Sequence, residues 1–159
     1  MDQNNFINIV HRTATKLLEY GYQTQQEQAY YGAEFWKIPM KGIYCLIGFD
    51  LFRTSIILNE FRVLLIRRRL EDFADNDSRY KPLNINLRNL MLGLYNMDIF
   101  PTEHYSWEFT DEQSLLKQVA NAEHFILEYG IKWLEDPMSN LDWVGRRRID
   151  PSSPNPNAS

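Results

Sequence analysis

The hydrophobic pattern is densest in the middle of the chain, where two apolar runs, IYCLIGFDLF (43–52) and FRVLLIRRRL (61–70), flank the short connection TSIILNE (54–60). In the first run apolar residues occupy both odd and even positions, interrupted only by Gly48 and Asp50. That pattern predicts a strand covered on both faces for part of its length, with Gly48 marking a bulge, a bend or a close backbone approach. In the second run Phe61, Val63 and Leu65 fall on one face, and Leu64 and Ile66 on the other between Arg62 and Arg68. Helical spacing is also satisfied over 61–70, but strand fits the β-branched and aromatic content better. Turn chemistry around Asn59 and Glu60 closes the two as an antiparallel hairpin.

Around this hairpin the periodicity predicts further elements. Phe6, Ile9, Val10, Thr13, Leu17 and Tyr20 form an apolar stripe with Arg12, Lys16 and Glu19 between them, a helix over 5–20. Gly21 suits its left-handed stop, with Tyr22 as the apolar contact. QTQQEQ (23–28) reads as a loop or the start of a solvated edge strand, and a strand over about 29–38 ends at Pro39. These give a three-stranded meander, 29–38, 43–53 and 61–70. Residues 84–97 fit both periods; Gly93 and the strand count favour a fourth strand over about 88–96. Residues 71–82 and 98–109 read as loops. A capping box from Thr110 to Gln113 opens a second helix along Leu115, Val119, Ala122, Ile126 and Tyr129, with Gly130 as its stop. Residues 131–144, around Pro137, form a short turn or helix folding back over the sheet. The expected fold is therefore α+β, an antiparallel sheet of about four strands with two main amphipathic helices packed on one face. Residues 1–144 form one domain, and the tail 145–159, basic and then Pro/Ser/Asn-rich, is expected to be disordered.

Composition narrows the function classes. The 159 residues are 44% hydrophobic and 24% charged, as in globular chains. The formal net charge of −4 argues against general nucleic-acid affinity, with the tail residues Arg146, Arg147 and Arg148 the exception that could contact an acidic partner or nucleic acid. The single cysteine, Cys45, lies in the most apolar run and reads as a small buried hydrophobe. No intrachain disulfide is possible, and MDQNNF lacks the order of a signal peptide. No apolar run reaches the roughly 20 residues of a membrane helix. The expected location is cytoplasmic.

Candidate chemistry is sparse. No Gly-rich phosphate loop, nucleophile elbow or His-Glu-x-x-His motif occurs. The carboxylates Glu71, Asp72, Asp75 and Asp77 lack the order of a calcium loop. His104 between Glu103 and Glu108 lacks ligands from separate elements, so no metal or cofactor is expected. Asp50, with Glu34 and Lys37 on a neighbouring strand, offers the alternative of a metal-dependent nuclease, although Glu60-Phe61-Arg62 replaces the carboxylate-x-Lys such a site needs. Asp50 is otherwise a strand residue paired with Arg53 or Arg62. Aromatics reach 14%, enough to supply a contact surface: Tyr30, Tyr31, Trp36, Tyr105, Trp107 and Trp143, with Asp72 and Asp75 as a polar rim.

The succession LLEYGY, GIYCLIGFD, FRVLLIRR, WEFTDEQSL and GIKWLED, spanning about residues 5–136, resembles small bacterial α+β domains, some of which act as immunity or interaction proteins. That resemblance implies binding without turnover: an acidic, aromatic-bearing surface that plugs a toxin or docks as a small subunit of a defence complex.

Overall fold

The computed structural model describes residues 1–25, 31–70, 83–100, 106–137 and 139. The elements run α1 (Gln3–Thr13), α2 (Thr15–Glu19), β1 (Gln23–Gln25), β2 (Ala33–Met40), β3 (Ile43–Thr54), β4 (Asn59–Arg69), β5 (Leu83–Asn86), α3 (Leu87–Tyr95), β6 (Trp107–Phe109) and α4 (Glu112–Phe125). A π-helical turn (Ile126–Gly130) and α5 (Ile131–Glu135) continue α4 into one 24-residue helical stretch. The fold is α+β. The strands form an antiparallel sheet in the order β1-β2-β3-β4-β5, with β6 pairing the first residues of β4.

The β3–β4 hairpin is the spine of the sheet. Ile47 lies opposite Leu65 and Phe49 opposite Val63, so the odd positions of both strands share one face. Phe35 on β2 and Ile85 on β5 extend that row to the neighbouring strands. The helices cover this face. An aromatic cluster fills the space: Phe6 and Phe109 stack at 6.1 Å, Phe61 and Trp107 at 5.6 Å, and Phe100 meets Trp107 edge-on at 4.5 Å. Cys45 is buried here as expected; its Sγ donates to the Leu134 carbonyl at 3.3 Å, and burial pushes the thiol pKa up to about 12. Leu46, Leu64 and Ile66 are also buried, on the opposite face, so the central strands are covered on both sides at mid-length.

The first helix is broken where the pattern predicts one rod. Thr13 Oγ1 donates to the Ile9 carbonyl at 2.6 Å, a back-bond that bends helices. Ala14 then leaves helical geometry (ψ 56°). The restart has no cap of its own; instead the Glu123 carboxylate, from α4, accepts the Leu17 N–H at 3.2 Å. Gly21 (φ 93°) does end the pair: Tyr22 N donates to Leu17 O and Gly21 N to Leu18 O, the paired bonds of a Schellman stop.

Several expected boundaries move. β2 runs through Pro39 to Met40, because the register slips between Lys37 and Met40 and the proline, which has no N–H, sits in that irregularity. The fourth strand expected over 88–96 is helix α3, preceded by β5. The Asn86 side chain accepts from Asn89 N at 2.8 Å, and Asn96 (φ 51°) supplies a left-handed stop, so a capped helix outcompetes the alternating pattern. Within the segment expected to be a loop, residues 107–109 form β6. The N-cap of α4 is Asp111, not Thr110, and its reciprocal partner is Ser114, not Gln113. Gly130 does not stop the helix. It lies at φ −76° in a continuous helix, and a Cβ there would come within 3.2 Å of Leu65 Cδ1, so its smallness serves packing against the sheet. The wider π turn delays the buried stripe by about one residue, so Gly130 and Ile131 face inward and Tyr129 is only half-buried.

Arg67 holds the end of this long helix. It is 1% exposed, on the helix-covered face of β4. Its Nη1 donates to the carbonyls of Trp133 (2.7 Å), Leu134 (3.0 Å) and Asp136, and to Ser139 Oγ (2.8 Å). The last carbonyls of a helix lack intrahelical donors and carry partial negative charge, which a buried guanidinium satisfies on both counts.

Candidate functional site

The other face of the sheet carries the even-numbered positions of β3 and β4. Reading across it, Gln25, Glu34, Gly48, Leu64 and Asn86 form one row, and Gln23, Trp36, Leu46, Ile66 and Asn84 the next. Tyr44 lies opposite Arg68, and Asp50 opposite Arg62, in the flanking rows. The middle of this face is apolar and buried, and its rim is aromatic and charged.

Trp36 and Tyr44 stack on the rim with ring centroids 6.1 Å apart and planes at 20°, both half-buried. Arg68 stands exposed beside Tyr44 and has no ion-pair partner among the described residues. Next to them opens a recess of about 370 Å³, lined by Tyr31, Glu34, Tyr44, Leu46 and Arg68 among others. Gly48 makes the recess possible. A Cβ at that position would lie 2.8 Å from the Tyr31 Cβ, so only glycine lets Tyr31 settle on the strand. Tyr31 N donates to the buried Glu34 carboxylate at 2.9 Å, which fixes the segment as it enters β2. Burial and the nearby Glu34 charge push the Tyr44 hydroxyl pKa up, with Arg68 opposing. Tyr44 is therefore a neutral donor throughout the physiological range.

Of the contact residues expected from sequence, Tyr31 and Trp36 meet on this face. Trp107 does not belong with them. It is 4% exposed, stacked on Phe61 in the core, because β6 pairs with β4 and turns the indole inward. Tyr30, Tyr105, Trp143, Asp72, Asp75 and the basic residues Arg146, Arg147 and Arg148 lie outside the described residues, as does His104. The nuclease constellation does not assemble. Glu34 and Lys37 point to opposite faces of β2; Lys37 Nζ pairs with Glu135 at 2.6 Å on the helix side, and Asp50 pairs with Arg62 at 2.8 Å. Among the described residues no cluster of His, Cys, Asp and Glu is placed to hold a metal ion.

Tyr44 and Arg68 escaped the sequence reading, although both lie in the central runs. The available signal was a polar-tipped aromatic and a cation at the outer ends of otherwise apolar strands. A second recess, of about 450 Å³, lies between β6 and α4, with Phe100 and Trp107 in its wall and Lys117, Gln118 and Asn121 on its polar side. The β3–β4 turn carries another unexpected feature. Ser55 N donates to Leu58 O (3.0 Å), and Leu58 N donates to Ser55 Oγ (2.9 Å), closing a tight tip. It presents Ile56 and Ile57, which are 104% and 81% exposed.

No protein-family model, curated protein or solved structure matches the chain. Among the described residues no helix is long and apolar enough to cross a membrane.

Proposed function

We propose that the chain is a non-catalytic protein-binding module, of the kind that neutralises a toxin as an immunity protein or serves as a small subunit of a defence complex. Its contact surface is the face of the sheet opposite the helices described above. The observation that carries this reading is the Trp36–Tyr44 stack, half-exposed beside the recess and next to the exposed Arg68. Tryptophan, tyrosine and arginine are the side chains that most often dominate binding energy, because they bring large area or a directional charge at small entropic cost. The face is also firm. Trp36, Tyr44 and Arg68 stand on three paired strands, β2, β3 and β4, so little ordering is lost on association. The resemblance to bacterial immunity and interaction domains points the same way, and the polar groups of the nuclease alternative are each engaged elsewhere.

Affinity capture from the native host, with the tagged chain and its Trp36→Ala, Arg68→Glu variant side by side, tests the reading. The expected result is a stoichiometric protein partner that the variant loses while keeping the wild-type melting temperature. A partner retained at full yield by the variant places the contact elsewhere.

A further inference from the structure

We propose that the β3–β4 tip docks on an anionic phospholipid surface, with Ile56 and Ile57 entering the acyl layer and Arg53 and Arg62 donating to lipid phosphates. The tip is separate from the face that carries Trp36 and Tyr44 and rests on different residues.

The hairpin projects past its neighbour. Its ladder with β2 ends at Ala33 opposite Phe49, whereas β3 continues to Thr54. At the apex Ile56 and Ile57 stand in solvent, and Phe52 is exposed at the base. Tight turns favour Gly, Asn, Asp and Ser, and exposed isoleucines add nothing to the stability of the free chain. Hydrogen bonds between Ser55 and Leu58 use both the N–H and the carbonyl of Leu58, so the tip is held in one shape before it meets a surface.

The arginines supply the polar half of the site. Both lie over the Phe52 ring, Arg53 at 5.9 Å and Arg62 at 5.5 Å from its centroid. Each is tethered through Nε, Arg62 to Asp50 at 2.8 Å and Arg53 to Glu60 at 2.9 Å. Their terminal Nη groups make no hydrogen bond among the described residues. The arginine side chains are 66% and 49% exposed for Arg53 and Arg62, whereas those of Glu60 and Asp50 are 9% and 20% exposed. From Leu51 to Asn59 the hairpin carries no carboxylate. It therefore shows solvent an aliphatic apex with oriented cationic donors behind it.

That order selects the occupant. A phospholipid layer presents phosphate oxygens outside and hydrocarbon beneath. Arg53 precedes Ile56 by three residues, about 10 Å along an extended strand. Interfacial segments bury their apolar side by about 5–10 Å, which leaves the guanidiniums among the phosphates when the apex is in the acyl layer. Paired Nη donors suit phosphate oxygens, and the arginine stems can lie along apolar surface while the charge stays in the polar layer. A convex aliphatic apex enters fluid hydrocarbon without a matching cavity, which a protein partner would have to provide. Nucleic acid offers phosphates but no apolar phase for the isoleucines. Anionic headgroups add attraction for the exposed cations.

Co-sedimentation of the full chain with extruded vesicles tests the proposal, using phosphatidylcholine alone and equal parts of phosphatidylcholine and phosphatidylglycerol. The wild type is expected to bind the mixed vesicles about tenfold or more better than the neutral ones, with the difference shrinking as salt is raised. The Ile56→Ser, Ile57→Ser variant is expected to lose about tenfold or more in partitioning, with unchanged circular dichroism and melting temperature. No sedimentation with either vesicle, equal binding to both, or full binding by the tip variant overturns the proposal. The Trp36→Ala variant is expected to sediment as the wild type does, so the lipid contact and the protein contact stand or fail independently.

Discussion

The guanidinium of Arg67 donates to the backbone carbonyl of Ser139 at 2.6 Å, tying β4 to the chain just past the long helix. The same side chain satisfies the helix's last carbonyls, and Ser139 Oγ in turn donates to Trp133 O at 2.6 Å. A single buried cation thus fixes where the helix ends on the sheet.

Removal of that cation is expected to be severe. Arg67→Ala removes the guanidinium from the buried carbonyls of Leu134 and Ser139, a lost partner costing about 1–3 kcal/mol each, and the loss should reach about 3 kcal/mol or more. Arg67→Lys, with a compact ammonium in place of the fork, should recover only part of it. The urea midpoint of each variant measures this, with the slope expected to stay unchanged.

Trp107→Ala is expected to destabilise by about 3–5 kcal/mol, as for a large aromatic removed from a packed core. Its rings contact Phe61 and Phe100 rather than a partner. Thermal melts check this; an unchanged midpoint would place Trp107 at the surface.

Glu123 bridges the broken first helix, and its pH dependence has a defined sign. Burial raises its pKa above the ordinary 4.5, against the opposing hydrogen bonds from Leu17 and Lys16. A raised folded-state pKa means the folded chain binds the proton more tightly. This contribution is complete below about pH 4.5 and is lost as pH rises through the raised folded value. Glu123→Gln keeps an acceptor for Leu17 N but does not titrate. The stability of wild type relative to this variant should therefore fall as pH increases from 4.5 towards neutrality, in paired denaturant titrations. Glu123→Ala should cost about 1 kcal/mol at pH 4.5 and below through loss of the cap, and less as the pH rises.

Gly48→Ala separates binding from folding. The new Cβ meets the Tyr31 side chain at 2.8 Å, so Tyr31 must leave the recess or β3 must shift. Loss of partner affinity by tenfold or more, with a stability loss of about 1–3 kcal/mol, is expected from overpacking at this point. Isothermal titration against the captured partner and a melt of the variant measure the two effects.

The parts of the fold legible in the sequence were those set by local rules. The central hairpin announced itself through two long apolar runs, and Gly21 through its place after an apolar stripe. The errors came where a longer-range contact decides. Ala14 interrupts a good helical pattern because a carboxylate more than a hundred residues away holds the restart. Gly130 looked like a stop because the pattern shows a glycine after Tyr129 but not Leu65 beneath it. In 84–97 the leucines fit both periods, and the asparagines at 86 and 96 carried the answer. The site was only partly legible for a similar reason. Aromatic content identifies contact-capable residues, but strand pairing decides which face each one takes. Pairing sent Trp107 inward and left Trp36 beside Tyr44 at the rim.

Hydroxyl-radical footprinting of the chain, alone and bound to its captured partner, tests the binding face most directly. Strong protection of Trp36, Tyr44 and Tyr31 in the complex is the predicted result. Oxidation of those three side chains at the same rate in both states, with protection elsewhere on the surface, would contradict it.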